Sequence, residues 1–434
     1  MADPAATAWR SSASRPRWPT LLCLGAIVFV LAMVALRYDH NTGFTSLIQF
    51  GTDWEAPMRI TELNGVPLAT VPGGGYDGQF YAQIAVQPDI TTPEIQDALD
   101  NPSYRARRIL LPLTAHVLGA GNPARILNIY ALINVVAWLA LAAVWWREVG
   151  AATPRGAMVW LACLLSLGAL DSLRLSLTDL PAALLLVLAV LALERSRPRL
   201  ATLFFLLGGF IRETSIFPAA VFIPQSRTVS RSSSTTIRTR SWFLSLRFSW
   251  RGKPNQGSQP VTLSSPDFRL YFLRALAVVP VLAWCAWLHF HLPGDDGAIT
   301  MDWPTLGLIQ HLATCTTELA HGNLDSRYLF GLLGALGLAY QSIFLLRQWR
   351  NPDPWVRLGL PFAILFWLMS AYVFSGYWAA ARACLPPHPR LQPPSPPRPL
   401  FLAPSYSRQF IPATRPVADV AVIHISLPAA LPHS

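Results

Sequence analysis

Apolar runs about as long as a bilayer is thick recur along this chain, and that repetition restricts its folds more than any single motif does. A helix needs ~20 apolar residues to cross the hydrocarbon core, where its backbone must satisfy its own hydrogen bonds. Such runs stand near residues 19–36, 126–146, 178–193, 275–290, 328–346 and 358–376, and shorter or interrupted ones near 109–119, 157–170, 201–211 and 214–224. With 52% of residues hydrophobic and only 13% charged, an ordinary soluble domain is excluded. The expected fold is all-α, a polytopic transmembrane helical bundle of about 8–11 spans with a long first extracytoplasmic loop.

The net charge of +11 falls in short basic clusters between apolar runs, where membrane orientation explains it better than nucleic acid does. The first run follows Arg10, Arg15 and Arg17 without a convincing small-residue cleavage site. It reads as a retained anchor behind a cytoplasmic segment, residues 1–18. From Tyr38 to Tyr104 the chain carries Asp39, Asp53, Glu55, Glu62, Asp77, Asp89, Glu94, Asp97 and Asp100 against Arg59 alone, as an exported loop can. That loop, residues 38–108, is placed outside. The Ser-, Thr- and Arg-rich stretch 225–266 reads as a flexible basic cytoplasmic loop. Of the five cysteines, Cys23, Cys163 and Cys285 lie inside apolar runs, so no disulfide framework or CxxC metal site is built from them.

Following the spans through, Asp77, Arg105, Arg107, Arg108, Asp171, Arg174, Asp179, Arg212, Glu213, Asp295 and Asp296 all reach the outer face. Charges gathered on one side suggest a site, with ordinary solvated loop charges as the alternative. Arg212 and Glu213 in "GGFIRETSIFP" break an apolar stretch, and intramembrane charge costs ~2.5–3.5 kcal/mol. They read as functional groups or as a structural ion pair.

In "GGGYDGQFYAQIAV", Gly73 to Val86, the glycines permit positive φ and close backbone approach. The pattern reads as a loop entering a short helix with Asp77 near its N-terminus, where the helix dipole favours an ionised carboxylate. Such a carboxylate can act as a general base; an N-cap beside an interfacial aromatic anchor is the alternative. Tyr76, Phe80 and Tyr81 offer amphipathic faces that suit a sugar ring, with Gln79 between them. In "LDNPSYRARRILLPL" the guanidiniums of Arg105, Arg107 and Arg108 suit a phosphate at the lipid surface, or snorkel to headgroups.

The order of an N-terminal anchor, "GYDGQFY", "LDNPSYRARRILLPL", "SLTDLPAALLL" and "GGFIRETS" resembles bacterial members of the GT-C superfamily of polytopic membrane glycosyltransferases, over residues 18–382. The resemblance implies a transmembrane domain, residues 19–383, in a bacterial inner membrane. It implies transfer of a sugar, with inversion, from a polyprenyl-phosphate donor to a glycan, lipid or protein acceptor on the outer face. Asp77 would match the loop carboxylate that serves as base. Arg105, Arg108 and Arg212 would be candidates for the donor phosphate, with Tyr76, Gln79, Tyr81, Arg174, Asp179 and Glu213 as further substrate-binding candidates. Many such enzymes carry paired acidic residues soon after the first span; here Asp77 comes later and alone, with Asp53 and Glu55 as rivals. Some use a divalent cation, which Asp77 with Asp53 or Glu55 could hold through oxygen, although no spacing demands one.

From Cys384 the chain turns Pro-rich, and residues 384–434 read either as a native disordered tail or as the product of a frameshift or truncation near residue 383. Two other functions compete with the transferase: a membrane transporter or lipid flippase, which also needs intramembrane charge and broken helices, and a noncatalytic membrane scaffold.

Overall fold

The computed structural model describes residues 17–53, 58–221, 268–294, 301–323, 325–351 and 353–375. All of these belong to one unit of the chain, Met1–Gln392. The second unit, Pro393–Ser434, lies outside the described residues, as do Glu55, Asp295, Asp296 and the basic loop 225–266.

The first apolar run forms α1 (Trp18–Ala35), with Pro19 in its first turn where a missing N–H costs nothing. The loop that follows is a folded layer. Strands β1 (Phe50–Gly51) and β2 (Thr70–Val71) pair in parallel, Phe50 opposite Thr70 and Gly51 opposite Val71. Helices α2 (Gly78–Val86), α3 (Pro93–Asp97) and α4 (Pro102–Arg105) complete it, and Ile48, Phe50, Ile60, Leu63, Ile84 and Ile95 fill its interior. Every residue of α2 is buried. A helix covered on all sides needs cover from outside its own layer, and α5 (Leu110–Gly119) and α6 (Pro123–Glu148) supply it.

Beyond α6 come α7 (Pro154–Leu164), α8 (Leu167–Arg174), α9 (Asp179–Glu194), α10 (Pro198–Ile211) and α11 (Ile216–Val221). After the undescribed stretch stand α12 (Phe268–His291), α13 (Leu306–Ala320), α14 (Ser326–Arg347), α15 (Pro354–Leu368) and α16 (Ala371–Ser375). Capping residues set many of these starts. The Asn122 side chain accepts the Arg125 N–H at 3.0 Å ahead of Pro123, and Thr153 does the same for Gly156 at 3.1 Å ahead of Pro154. Tryptophans lock the helices together where their indoles find acceptors. Trp138 and Trp160, both fully buried, donate to the carbonyls of Leu164 and Ala142, each at 2.9 Å, and Trp355 donates to Glu194 at 2.8 Å.

Among the described residues four helices are long and apolar enough to cross a membrane: Trp18–Ala35, Pro123–Glu148, Tyr271–His291 and Arg327–Arg347. The pair α7 and α8, bent by 47°, makes a fifth if counted as one span. The protein is therefore a mostly helical, membrane-associated chain. Several runs that read as spans are shorter helices here: Asp179–Glu194 has 16 residues, Pro198–Ile211 has 14 and Pro354–Leu368 has 15. Pro198 and Pro354 begin α10 and α15 in the polar linkers between apolar runs, and the extended backbone of Arg212 ends α10 ahead of α11.

Candidate functional site

The glycine run answers to backbone geometry. Gly73 (φ +84°) and Gly75 (φ +68°) lie in the left-handed region, and a Cβ on Gly75 would collide with the Gly51 backbone at the end of β1. Gly78 packs so closely on the Leu175 carbonyl, in the turn before α9, that a side chain there would also collide. The chain thus enters α2 pressed between the loop layer and that turn. Gln79, a residue expected to meet substrate, instead holds this entry together. Its Oε1 accepts the Gly51 N–H at 3.0 Å and its Nε2 donates to the Gly74 carbonyl at 2.7 Å.

Asp77 stands at the N-cap position of α2, yet its side chain makes no capping hydrogen bond. Its Oδ1 accepts from Arg105 Nη2 at 3.0 Å, and the side chain remains 34% exposed. A cap alone does not account for this carboxylate.

Arg105 is delivered by α4, which starts where Asn101 accepts the Tyr104 N–H at 2.9 Å. Asp100, just before that cap, takes the guanidinium as a fork: Nε donates to Oδ1 at 2.7 Å and Nη2 to Oδ2 at 2.6 Å. Nη1 donates to the Tyr81 hydroxyl at 3.3 Å, and the cation lies 4.7 Å from the centre of the Phe80 ring. Arg108, one turn on, forks onto Glu213 at 3.0 and 2.9 Å and donates to the hydroxyls of Tyr81 at 2.7 Å and Tyr104 at 2.6 Å. The Tyr81 oxygen is thus shared by two arginines. Burial pushes its hydroxyl above the usual tyrosine range, with Arg108 and Arg105 opposing, so it stays protonated at neutral pH.

Glu213 occupies the turn between α10 and α11, and its neighbour Arg212 pairs with Asp179 in the first turn of α9. Arg212 lies at the C-terminal end of α10, so each charge also sits at the helix end whose dipole favours it. Arg174 is half exposed and bonds to Asp171 of its own helix at 3.2 Å. Tyr76 is half-buried at the approach to α2, where its N–H donates to the Gln49 carbonyl at 3.1 Å.

The structure therefore brings Asp77, Tyr81, Arg105, Arg108 and Glu213 into one hydrogen-bonded chain, with the Arg212–Asp179 pair beside Glu213. Arg174 joins that chain through no described contact. The donors of Arg105 and Arg108 expected to meet a lipid phosphate are largely committed to Asp77, Asp100, Glu213 and two tyrosines. Asp100 and Tyr104 were not anticipated from the sequence. Their signal was the Asn-Pro helix start in "LDNPSYR", which brings Asp100 and Arg105 together around a cap. Asp53 lies close by, its N–H donating to the Gly73 carbonyl at 3.1 Å. Among the described residues no group of three or more His, Cys, Asp or Glu side chains is arranged to hold a metal ion. Asp77 and Asp100 are instead drawn together by a guanidinium.

No protein-family model, characterised protein or solved structure matches this chain.

Proposed function

We propose that the protein is an integral membrane glycosyltransferase that moves a sugar from a polyprenyl-phosphate donor to an acceptor at the extracytoplasmic face of a bacterial plasma membrane. The observation that carries this reading is the state of Asp77. A general base must be reachable, charged and held still, and this carboxylate is one-third exposed, is paired with a buried guanidinium and makes no capping hydrogen bond to α2.

In the reaction, Asp77 accepts the proton of the acceptor hydroxyl as that oxygen bonds to the anomeric carbon. The bond from that carbon to the phosphate oxygen breaks, its electron pair leaves with the lipid phosphate, and the anomeric centre inverts. Charge grows on the departing phosphate, and the guanidiniums of Arg107 and Arg108 would supply positive charge to offset it. The shorter apolar helices α5, α10 and α15 would add to the long spans and the bent α7–α8 pair and bring the bundle towards 8–11 crossings. Transport or lipid flipping is the second reading, favoured by the 47° break between α7 and α8.

Incubating the purified full chain in detergent with a panel of polyprenyl-phosphate sugars tests the proposal. Release of lipid phosphate, dependent on an added acceptor, supports it. Movement of a labelled lipid donor across a reconstituted bilayer with no cleavage would establish the flippase reading instead.

A further inference from the structure

We infer that Arg105 is a positioning residue for Asp77 and not a ligand of the donor phosphate. The inference rests on the transferase reading for its catalytic meaning, but its geometry stands independently. Arg105 touches Asp100, Tyr81, Phe80 and Asp77, with the Tyr104 ring centre 5.4 Å from its guanidinium, and these contacts fix its placement. Asp100 holds the Nε–Nη2 edge as a fork, Tyr81 receives Nη1, the Phe80 ring covers one face, and Nη2 is left to reach Asp77 at 3.0 Å. The Arg105 side chain is 7% exposed while those of Asp77 and Asp100 are each 34% exposed, so solvent reaches the two carboxylates more readily than the cation that joins them. A phosphate arriving from outside finds the two carboxylates more open to it than Arg105, an arrangement wrong for an anion site and right for a carboxylate held by a buried cation.

The same chain reaches far from Asp77. Tyr81 offers its one oxygen to Arg105 and to Arg108, whose fork grips Glu213 at the break between α10 and α11. The Tyr81 oxygen thus links the Arg108–Glu213 fork at that break to the guanidinium that holds the Asp77 carboxylate. A lysine at position 105 would keep the charge but could not bridge Asp100, Tyr81 and Asp77 in one plane.

The test uses the full-length protein in detergent and three variants: Arg105→Lys, Tyr81→Phe and Asp100→Asn. The first readout is carbodiimide labelling of individual carboxylates, read by peptide mass spectrometry, with the exposed Asp89 of the same loop as reference. A several-fold rise in labelling of Asp77 relative to Asp89 is expected in Arg105→Lys, and a smaller rise in the isosteric Tyr81→Phe. Unchanged Asp77 labelling in all three variants overturns the inference whether or not the chain transfers sugar, as does a parallel rise at Asp77 and Asp89, which would mark general loosening. The second readout is kinetic: kcat should fall about 10- to 100-fold in Arg105→Lys while KM for the lipid donor stays within about twofold. A raised KM with kcat preserved would make Arg105 a phosphate ligand and overturn the inference. Failure of the parent to turn over any donor bears on the transferase reading alone, because the labelling result decides the positioning role without it.

Discussion

Removing both ends of the Arg108–Glu213 fork should cost the fold less than the two single removals added together. The two side chains are 8% and 19% exposed and share two charged hydrogen bonds at 2.9 and 3.0 Å. Removing one partner of a buried pair costs ~3–5 kcal/mol, chiefly because the survivor keeps an uncompensated charge. Arg108 would retain the Tyr81 and Tyr104 hydroxyls, and glutamine at 213 could still accept one N–H. Glu213→Gln should therefore fall lower, at about 2 kcal/mol. Arg108→Met strands the Glu213 carboxylate near Arg212 and should cost ~2–4 kcal/mol. The double variant should be less destabilised than the sum of the singles by ~2 kcal/mol, since neither charge is then left alone. Equilibrium unfolding in mixed detergent micelles, followed by the fluorescence of the 16 tryptophans, measures all three. Singles that each cost less than ~0.5 kcal/mol, or a double equal to their sum, would refute a coupled buried pair.

Gly75→Ala should disorder the entry to α2, because φ +68° and the Gly51 backbone both exclude a Cβ, and proteolysis within residues 72–78 should rise while Gly25→Ala, in open space within α1, leaves cleavage there unchanged. Glu94 is held below the usual carboxylate range by the Thr61 side chain and backbone. A depressed folded value means this contact contributes above the unfolded pKa of ~4.3 and is lost as pH falls through the folded value. Protease sensitivity around Thr61 should therefore rise only in acid, and a Glu94→Gln variant that matches the parent at neutral pH would contradict it. Single cysteines replacing Asp89 and Ser233 should react oppositely with an impermeant reagent in sealed cells, Asp89→Cys labelled and Ser233→Cys protected; equal labelling would remove the one-face arrangement.

The helical, membrane-bound character of the chain was legible because apolar run length reports it directly, and the four long helices lie where the sequence placed strong runs. Among the described residues four helices, or five with the bent α7–α8 pair, have the length and composition of spans, and Thr153-Pro154, Arg197-Pro198 and Asp353-Pro354, in the polar stretches between apolar runs, mark where α7, α10 and α15 start. In the site, the unusual placement of Asp77 and of Arg212 with Glu213 could be seen as charge interrupting a pattern. Their partners could not. Arg108 and Glu213 are separated by 105 positions, and nothing local to either names the other. Arg212 and Glu213, read as one possible pair, each take a different partner, because adjacent residues leaving a helix point in different directions. Tyr81 was read as a ring for sugar; within an all-buried α2 it supplies an oxygen to two arginines instead.

Asp77 carries the central claim, and Asp77→Asn tests it most directly in a preparation whose parent releases lipid phosphate from a polyprenyl-phosphate sugar. Asparagine keeps the size of the side chain and an oxygen for Arg105 but loses the basic lone pair and the charge. Donor binding should survive while transfer falls by about 10²–10⁴. Near-parental turnover in Asp77→Asn would contradict the account and move the base to another carboxylate of the loop.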